Sequence, residues 1–293
     1  MPTGEHNKCL VCQSDKLNPL GGYEKHHLTK CGSCNFVFCK PIPTQKELNE
    51  VYEGYGRNDY LSDLTIQAYE RVLDSLEPFR KTNKLIDVGC GIGYFIEVAK
   101  RRGWEVYGTE FTEEAAKICE EKGAKMELGV LDPSNYEPES FDVVCSFEVI
   151  EHINNPREEL GNFYKLLRKG GVVYCTTPNI NAVERFMLKS DWNILGYPEH
   201  LSYYSPSTLK RVFKETGFKT KKVLATGVSL TRIKKSQGKS NQATISASSD
   251  DEKLRNQIAG NPLLELVKDI INWKLTFFGV GNSLKGWFVK PTN

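Results

Sequence analysis

A short apolar run, Lys84-Leu-Ile-Asp-Val88, breaks at once into Gly89-Cys-Gly91-Ile-Gly93, and a helical pattern follows to about Arg102. A buried strand, a tight glycine turn and a helix, in that order, leave few folds open. The pattern repeats. Trp104–Thr109 reads as a second strand closed by Glu110. Further strands are read at Ala124–Leu128, at Phe141–Ser146 with a helix to Leu167, and at Gly171–Thr176, with the last two at Phe218–Ala225 and Leu284–Lys290. Strands interleaved with helices predict an α/β fold, a parallel sheet covered on both faces. Ligands of such sheets sit at the carboxyl ends of the strands.

The glycine turn carries chemistry because glycine lets backbone approach a ligand closely. Its spacing is G-x-G-x-G, with Asp87 two residues ahead of the first glycine. That departs from the dinucleotide fingerprint G-x-G-x-x-G, and the Lys-Ser/Thr of a P-loop is absent. Glu110, at the end of the next strand, is placed to accept both ribose hydroxyls of an adenosine moiety.

Five of the nine cysteines lie within the first 39 residues. Cys9-Leu-Val-Cys12 and Cys31-Gly-Ser-Cys34 are separated by 18 residues, with Gly21-Gly22 between them as the turn of a short hairpin. This is the spacing of a tetrahedral four-thiolate zinc site, closed and therefore structural. Cys39, His26 and His27 are spare candidates, set aside because the four-cysteine set is complete. A ribbon of about 40 residues buries little core, so the metal is expected to supply its folding energy.

An odd cysteine total, the paired spacings and a start without an apolar stretch argue against a disulfide framework and point to a reducing cytoplasm. No apolar run approaches the ~18 residues of a spanning helix. Lys+Arg total 39 against Asp+Glu 37, a net charge of +2 over 293 residues, which speaks against a protein built to grip nucleic acid. Sequence leaves the oligomeric state open.

The expected organisation is a zinc ribbon over 1–43, a helical connector or lid over 44–80, and a catalytic domain over 81–293. Thr44-Gln-Lys-Glu47 is a capping-box pattern. Tyr52, Tyr55 and Tyr60, with Gly54 and Gly56, suit either a lid or plain helix packing. Residues 236–251 are polar and read as a disordered loop. A carboxyl-terminal helix and strand span 262–291. Pro262–Phe278 is amphipathic and reads as a helix packed on the sheet edge or the site, with shallow membrane association as the other reading.

Taken together, Ile86-Asp-Val-Gly-Cys-Gly-Ile-Gly93, Glu110, Ser140-Phe-Asp-Val-Val144, Glu148-Val-Ile-Glu-His152 and Leu167-Arg-Lys-Gly-Gly-Val172 resemble the class I S-adenosylmethionine-dependent methyltransferases, over roughly residues 45–230 plus the final strand. The resemblance implies a Rossmann-like seven-stranded sheet with the last strand antiparallel. It implies that Asp87, Gly89, Gly91 and Gly93 face the methionine part of the cofactor, that Glu110 holds the ribose, and that Cys90 and Phe147 also belong to the cofactor-binding set. The family often reads adenine with an acid after the third strand. By length before Phe141 that slot holds Val130 rather than Asp132, and backbone at Val130 and Leu131 is expected to substitute.

Glu148, Glu151 and His152 follow the fourth strand at i, i+3 and i+4, a spacing that predicts one shared helix face. His200 comes 48 residues later, in Tyr197-Pro-Glu-His-Leu-Ser-Tyr-Tyr204. Two carboxylates and two imidazoles can hold a divalent cation. The quartet resembles that of ubiquinone-pathway O-methyltransferases and plant small-RNA 2′-O-methyltransferases, which use it to bind Mg²⁺ or a similar ion. In other members of the class the Glu-His pair holds no metal: the histidine bonds backbone or substrate and the glutamate caps a helix. Without metal, His152 or His200 is the expected general base. Trp192, Tyr197, Tyr203 and Tyr204 are candidates for the acceptor pocket or for core.

The expected activity is methylation of a hydroxyl oxygen on a small molecule: a diol, a catechol or a sugar, including a glycan precursor. An RNA methyltransferase gripping its substrate with the ribbon is the runner-up, weakened by a ribbon whose lysines are Lys8, Lys16, Lys25 and Lys30. Sugar C-methyltransferases also carry an amino-terminal four-cysteine segment, but are longer. A non-enzymatic zinc-ribbon adaptor is opposed by the intact glycine loop and Glu110.

Overall fold

The structure, a computed structural model, describes residues 4–53, 61–238 and 249–292. Tyr55 and Tyr60, and most of the 236–251 segment, lie outside these residues. Strands β1 (Gly4–Glu5), β2 (Leu17–Pro19), β3 (Leu28–Cys31), β4 (Val37–Cys39) and β5 (Pro41–Ile42) come first, followed by helices α1 (Gln45–Glu53) and α2 (Asp63–Leu76). The alternating section runs β6 (Lys84–Val88), α3 (Tyr94–Arg101), β7 (Glu105–Glu110), α4 (Glu113–Glu121), β8 (Lys125–Leu128), β9 (Phe141–Phe147), α5 (Pro156–Leu166) and β10 (Leu167–Pro178). Then come α6 (Val183–Leu188), β11 (Ser202–Tyr203), α7 (Pro206–Glu215), β12 (Lys219–Thr226), α8 (Leu230–Ser236), α9 (Asp250–Ile258), α10 (Pro262–Phe278) and β13 (Ser283–Val289).

One compact unit comprises residues 65–176, 210–223 and 286–293. It holds most of a seven-stranded sheet ordered β12-β13-β10-β9-β6-β7-β8. Strands β10, β9, β6, β7 and β8 run parallel, and β13 enters antiparallel. The central strands read as continuous apolar runs because helices cover both faces: Val143, Val144, Val172 and Val173 are all fully buried. Leu73, Leu76, Leu85, Phe95, Ile96 and Trp104 belong to this unit's core. Its strand order reverses between β6 and β9, and the carboxyl ends there open the crevice in which such sheets take ligands.

The other unit comprises residues 1–64, 177–209 and 224–285. Its sheet has the order β11-β4-β3-β2. Three of these strands come from the cysteine-rich segment. The fourth, β11, comes from the loop just after His200, with Ser202 opposite Phe38 and Tyr203 opposite Val37. One core follows: Leu28, Val37 and Cys39 pack with Ile180, Trp192, Ile194, Leu201 and Tyr203. The ribbon is therefore built jointly with residues 177–209. Thr44 and Glu47 make the expected capping box, Thr44 N donating to Glu47 Oε2 at 2.8 Å and Glu47 N donating to Thr44 Oγ1 at 3.2 Å.

Helix α10 forms where the sequence predicts it, capped by the Asn261 side chain on the Leu263 and Leu264 amides. None of its residues is buried, however. The helix meets the sheet edge at β12 through polar residues, and its large apolar side chains are exposed. Asn272 Oδ1 accepts from Gly227 N at 3.0 Å, and Thr276 Oγ1 donates to Ala225 O at 2.9 Å. Among the described residues no helix is long and apolar enough to cross a membrane.

Candidate active site

At the end of β6 the chain turns through Gly89, Gly91 and Gly93, all left-handed, with φ of 69°, 55° and 74°. The three positions differ in the room they leave for a side chain. A Cβ on Gly89 would come within 2.6 Å of Val149 Cγ2, and one on Gly93 within 2.6 Å of Cys119 Sγ. A Cβ on Gly91 would meet nothing within 4 Å. The outer two glycines thus satisfy the protein's own packing, whereas the middle one borders open space.

Glu110 ties this turn to the next strand. Gly91 N donates to its Oε2 at 2.8 Å and Phe111 N to its Oε1 at 2.8 Å. Gly129 N donates to the Glu110 carbonyl at 2.8 Å, so the segment after β8 closes on the same point. Asp87 lies beneath, 2% exposed, with Oδ1 buried and lacking a hydrogen-bond partner. Burial, and secondarily the Glu110 charge, push its carboxyl up to about 8. An orphaned buried acid, an open glycine and an oriented carboxylate suit a ligand with positive charge and vicinal hydroxyls. S-adenosylmethionine has both, and these residues fit it.

The remaining expected cofactor residues fall in two groups. Val130 is 68% exposed, whereas the Leu131 side chain is buried, leaving its backbone for any contact. The Cys90 sulfur points inward, 3.7 Å from Cys119 Sγ. Phe147 sits in an aromatic cluster, its ring centroid 4.7 Å from Phe95 and 5.4 Å from Tyr174. Two residues escaped the sequence reading. Phe111 and Leu128 are 47% and 54% exposed, and each adjoins Glu110, Phe111 by sequence and Leu128 by strand register. With Val130 they make an exposed apolar set around Glu110. Their position next to the ribose acid was the available signal.

The Asp87 geometry has a measurable consequence. The cost of ionising this buried acid destabilises the ligand-free fold progressively as pH rises from the unfolded carboxyl value through about 8. A bound cation favours the carboxylate, so binding S-adenosylmethionine at neutral pH should release close to one proton. Calorimetry in buffers of different ionisation enthalpy reads this directly, and Asp87→Asn should abolish the release and weaken binding.

Glu148, Glu151 and His152 do not share a helix face. They occupy the turn between β9 and α5, whose first helical residue is Pro156. This corrects the expectation drawn from i, i+3 spacing: Glu148 takes a left-handed φ of 54°, incompatible with helix. Its amide donates to Thr176 O at 3.0 Å, and His152 N donates to Val149 O at 2.9 Å. Glu151 is 2% exposed. Because Val149 is the residue against Gly89, the Glu-Val-Ile-Glu-His turn abuts the glycine turn directly.

His200 belongs to the other unit. His200 N donates to Gly196 O at 2.7 Å, and Nδ1 lies 2.5 Å from Ile194 O. A ring nitrogen facing a carbonyl must carry the proton, which makes Nε2 the basic nitrogen of the neutral ring. Burial lowers the imidazole below its ordinary value. The preceding peptide Tyr197-Pro198 is cis. Trp192, Tyr203 and Tyr204 are core, at 1%, 3% and 0% exposure, and the half-buried Tyr197 ring meets His27 edge-on at 5.3 Å.

In the same unit the Sγ atoms of Cys9, Cys12, Cys31 and Cys34 all lie within 4.8 Å of one another. The pairs Cys9–Cys34 and Cys12–Cys31 are 3.5 and 3.6 Å apart. Four thiols converging on one point, without a disulfide, fit a tetrahedral zinc ion. Cys39 stands apart, with its sulfur near the carbonyls of His26 and His200.

A family model described as a methyltransferase domain matches residues 60–223. A ubiquinone biosynthesis O-methyltransferase of Roseobacter denitrificans is 29% identical over 173 residues, 55% of this chain and 69% of that one. The enzyme of the same name from Idiomarina loihiensis is 29% identical over 143 residues, 44% of this chain and 58% of its own length. Among solved structures, a SAM-dependent methyltransferase from Archaeoglobus fulgidus superposes with a TM-score of 0.51 at 18% identity, covering 76% of this chain and 93% of that one. A geranyl diphosphate methyltransferase in complex with SAM gives 0.51 at 17% identity, covering 78% and 86%. At such identities the structural likeness speaks for the fold.

Proposed function

Because the chain belongs to the methyltransferase-domain family and is a class I S-adenosylmethionine-dependent methyltransferase, we propose that it methylates a hydroxyl oxygen of a small, hydroxylated acceptor, with a divalent cation held by Glu148, Glu151, His152 and His200. The observation that carries this reading is the Glu-Val-Ile-Glu-His turn seated against the glycine turn through Val149 and Gly89. A segment rich in acid and imidazole adjoining the glycine turn supports chemistry at the end of β6. The names of the relatives, ubiquinone biosynthesis O-methyltransferases, support an oxygen acceptor.

When bound, S-adenosylmethionine supplies an electrophilic methyl group on a sulfonium. The protein's task is then alignment, exclusion of water and removal of one proton. Asp87 and Glu110 would fix the donor from below and at the ribose, and Phe111, Leu128 and Val130 would cover the base. An alcohol is a poor nucleophile near neutral pH. A cation among the two carboxylates and two imidazoles would hold the acceptor oxygen and lower its pKa. His200, neutral at physiological pH through burial, can equally take the proton itself.

Activity measured against Mg²⁺ tests the cation. Removal by chelator should abolish turnover, and His200→Ala should cost on the order of 10²–10⁴ in rate while S-adenosylhomocysteine affinity stays put. The rate should rise with pH as His200 deprotonates, with a midpoint below the ordinary imidazole value. Full activity in excess chelator would remove the metal and leave His200 or His152 as base.

For the amino-terminal cysteines we propose a structural zinc ion bound by Cys9, Cys12, Cys31 and Cys34, one per chain.

A further inference from the structure

Helix α10 is amphipathic in an inverted sense. At 100° per residue, Glu265, Lys268, Asp269, Asn272 and Thr276 share one side. Of these, Asn272 and Thr276 meet the protein, through the Asn272–Gly227 and Thr276–Ala225 hydrogen bonds, while Glu265, Lys268 and Asp269 are exposed. The broad opposite side is apolar and exposed. Nine of the eighteen exposed large apolar side chains in the described residues lie on this helix, with Leu263, Trp273, Phe277 and Phe278 at 66–72%. Six more, including Phe186 at 55% and Met187 at 61%, lie on nearby segments of the same unit. Soluble chains rarely leave so much contiguous apolar surface without an occupant.

We propose that α10 is a docking element for an anionic lipid surface. Two features choose lipid over protein. The first is Lys274, which interrupts the apolar side with Ile270 and Ile271 one turn before it and Phe277 and Phe278 one turn after. Against a protein partner its ammonium would be trapped in an apolar contact, at a desolvation cost. At a bilayer surface the side chain extends along the apolar layer and delivers its charge to the headgroups. The second is charge. Residues 224–285 hold nine Lys and Arg against five Asp and Glu, a net +4, while the rest of the chain is net −2. The Trp273 ring stacks on Phe277 at 5.8 Å, giving the helix an aromatic end of the kind that settles at headgroup level.

The test is co-sedimentation of the full-length protein with vesicles of phosphatidylcholine alone or with phosphatidylglycerol. Binding is expected to the mixed vesicles, to weaken with added salt, and to fall by at least about tenfold in Ile270→Glu/Phe277→Glu. Both side chains are exposed, so the variant should keep its circular dichroism and its affinity for S-adenosylhomocysteine. Lys274→Glu should erase the preference for phosphatidylglycerol. The proposal is overturned if neither vesicle binds the protein. It is equally overturned if lipid-free sedimentation velocity shows a dimer that Ile270→Glu/Phe277→Glu dissociates, since that result assigns the helix to a second copy of the chain.

Discussion

Gly91→Val should eliminate detectable binding of S-adenosylhomocysteine while the protein still folds. A Cβ added at this position meets nothing within 4 Å, so the protein's own packing does not exclude the substitution there. The cost to the fold is the left-handed backbone, φ 55°, which a β-branched residue adopts at about 1–3 kcal/mol. The cost to the ligand is larger. The new side chain would occupy the open space at the turn and crowd the carboxylate that Gly91 N holds at 2.8 Å. Loss of both the cavity and the oriented acid should reduce affinity by on the order of 100-fold or more. Calorimetry gives the affinity and a melting curve gives the fold. Gly93→Val is the control for the opposite regime: its side chain would strike Cys119 Sγ and should unfold the protein before any ligand is lost. Unchanged affinity in Gly91→Val would mean that the nucleoside binds elsewhere.

The second large effect belongs to the four cysteines. Structural zinc contributes about 10–16 kcal/mol of apparent binding energy to small thiolate-bound folds. Cys31→Ser, or metal removal by a strong chelator, should therefore collapse the ribbon. The damage should not stop there. Strand β4 pairs with β11, Cys39 N donates to Leu201 O at 2.9 Å, and the Cys39 sulfur approaches the His200 carbonyl at 3.4 Å. His200 is held by the same sheet the metal would organise. Methyl transfer should be lost along with the zinc, while S-adenosylhomocysteine affinity changes by no more than about twofold, as for an independent site. Metal analysis should return one zinc per chain for the wild type. A chelated protein with full activity, or a wild type without zinc, would dismiss this role.

Much of the fold was legible because its signals are local. The strand–glycine–helix order and the buried valine runs are written in contiguous residues, and the seven-stranded sheet follows from them. The four cysteines were legible for the same reason, since two short spacings define the cluster. What escaped depends on long-range placement. The Glu148–His152 segment has helical spacing, yet the strand ends by turning through a left-handed Glu148, and backbone sign cannot be read from residue type outside glycine. Pairing of Ser202–Tyr203 with the ribbon joins segments more than 160 residues apart and leaves no local trace. Helix α10 was legible as amphipathic, but periodicity says nothing about which side faces the protein. The hydrogen bonds of Asn272 and Thr276 with Gly227 and Ala225 decide that. Phe111 was signalled only by its place after Glu110, and Leu128 reaches Glu110 through strand register, which sequence does not state.

The strand that β11 adds to the ribbon makes this chain indivisible in a way its linear layout conceals. Excising the first forty-odd residues, the obvious cut for anyone seeking a minimal catalytic fragment, would strip Ser202–Tyr203 of its hydrogen-bonding neighbour and lay bare Ile180, Ile194 and Leu201. Grafting the ribbon onto a foreign scaffold would lack the same partners. Evolutionary shuffling of either piece alone meets that obstacle too, so the two segments are expected to be inherited together.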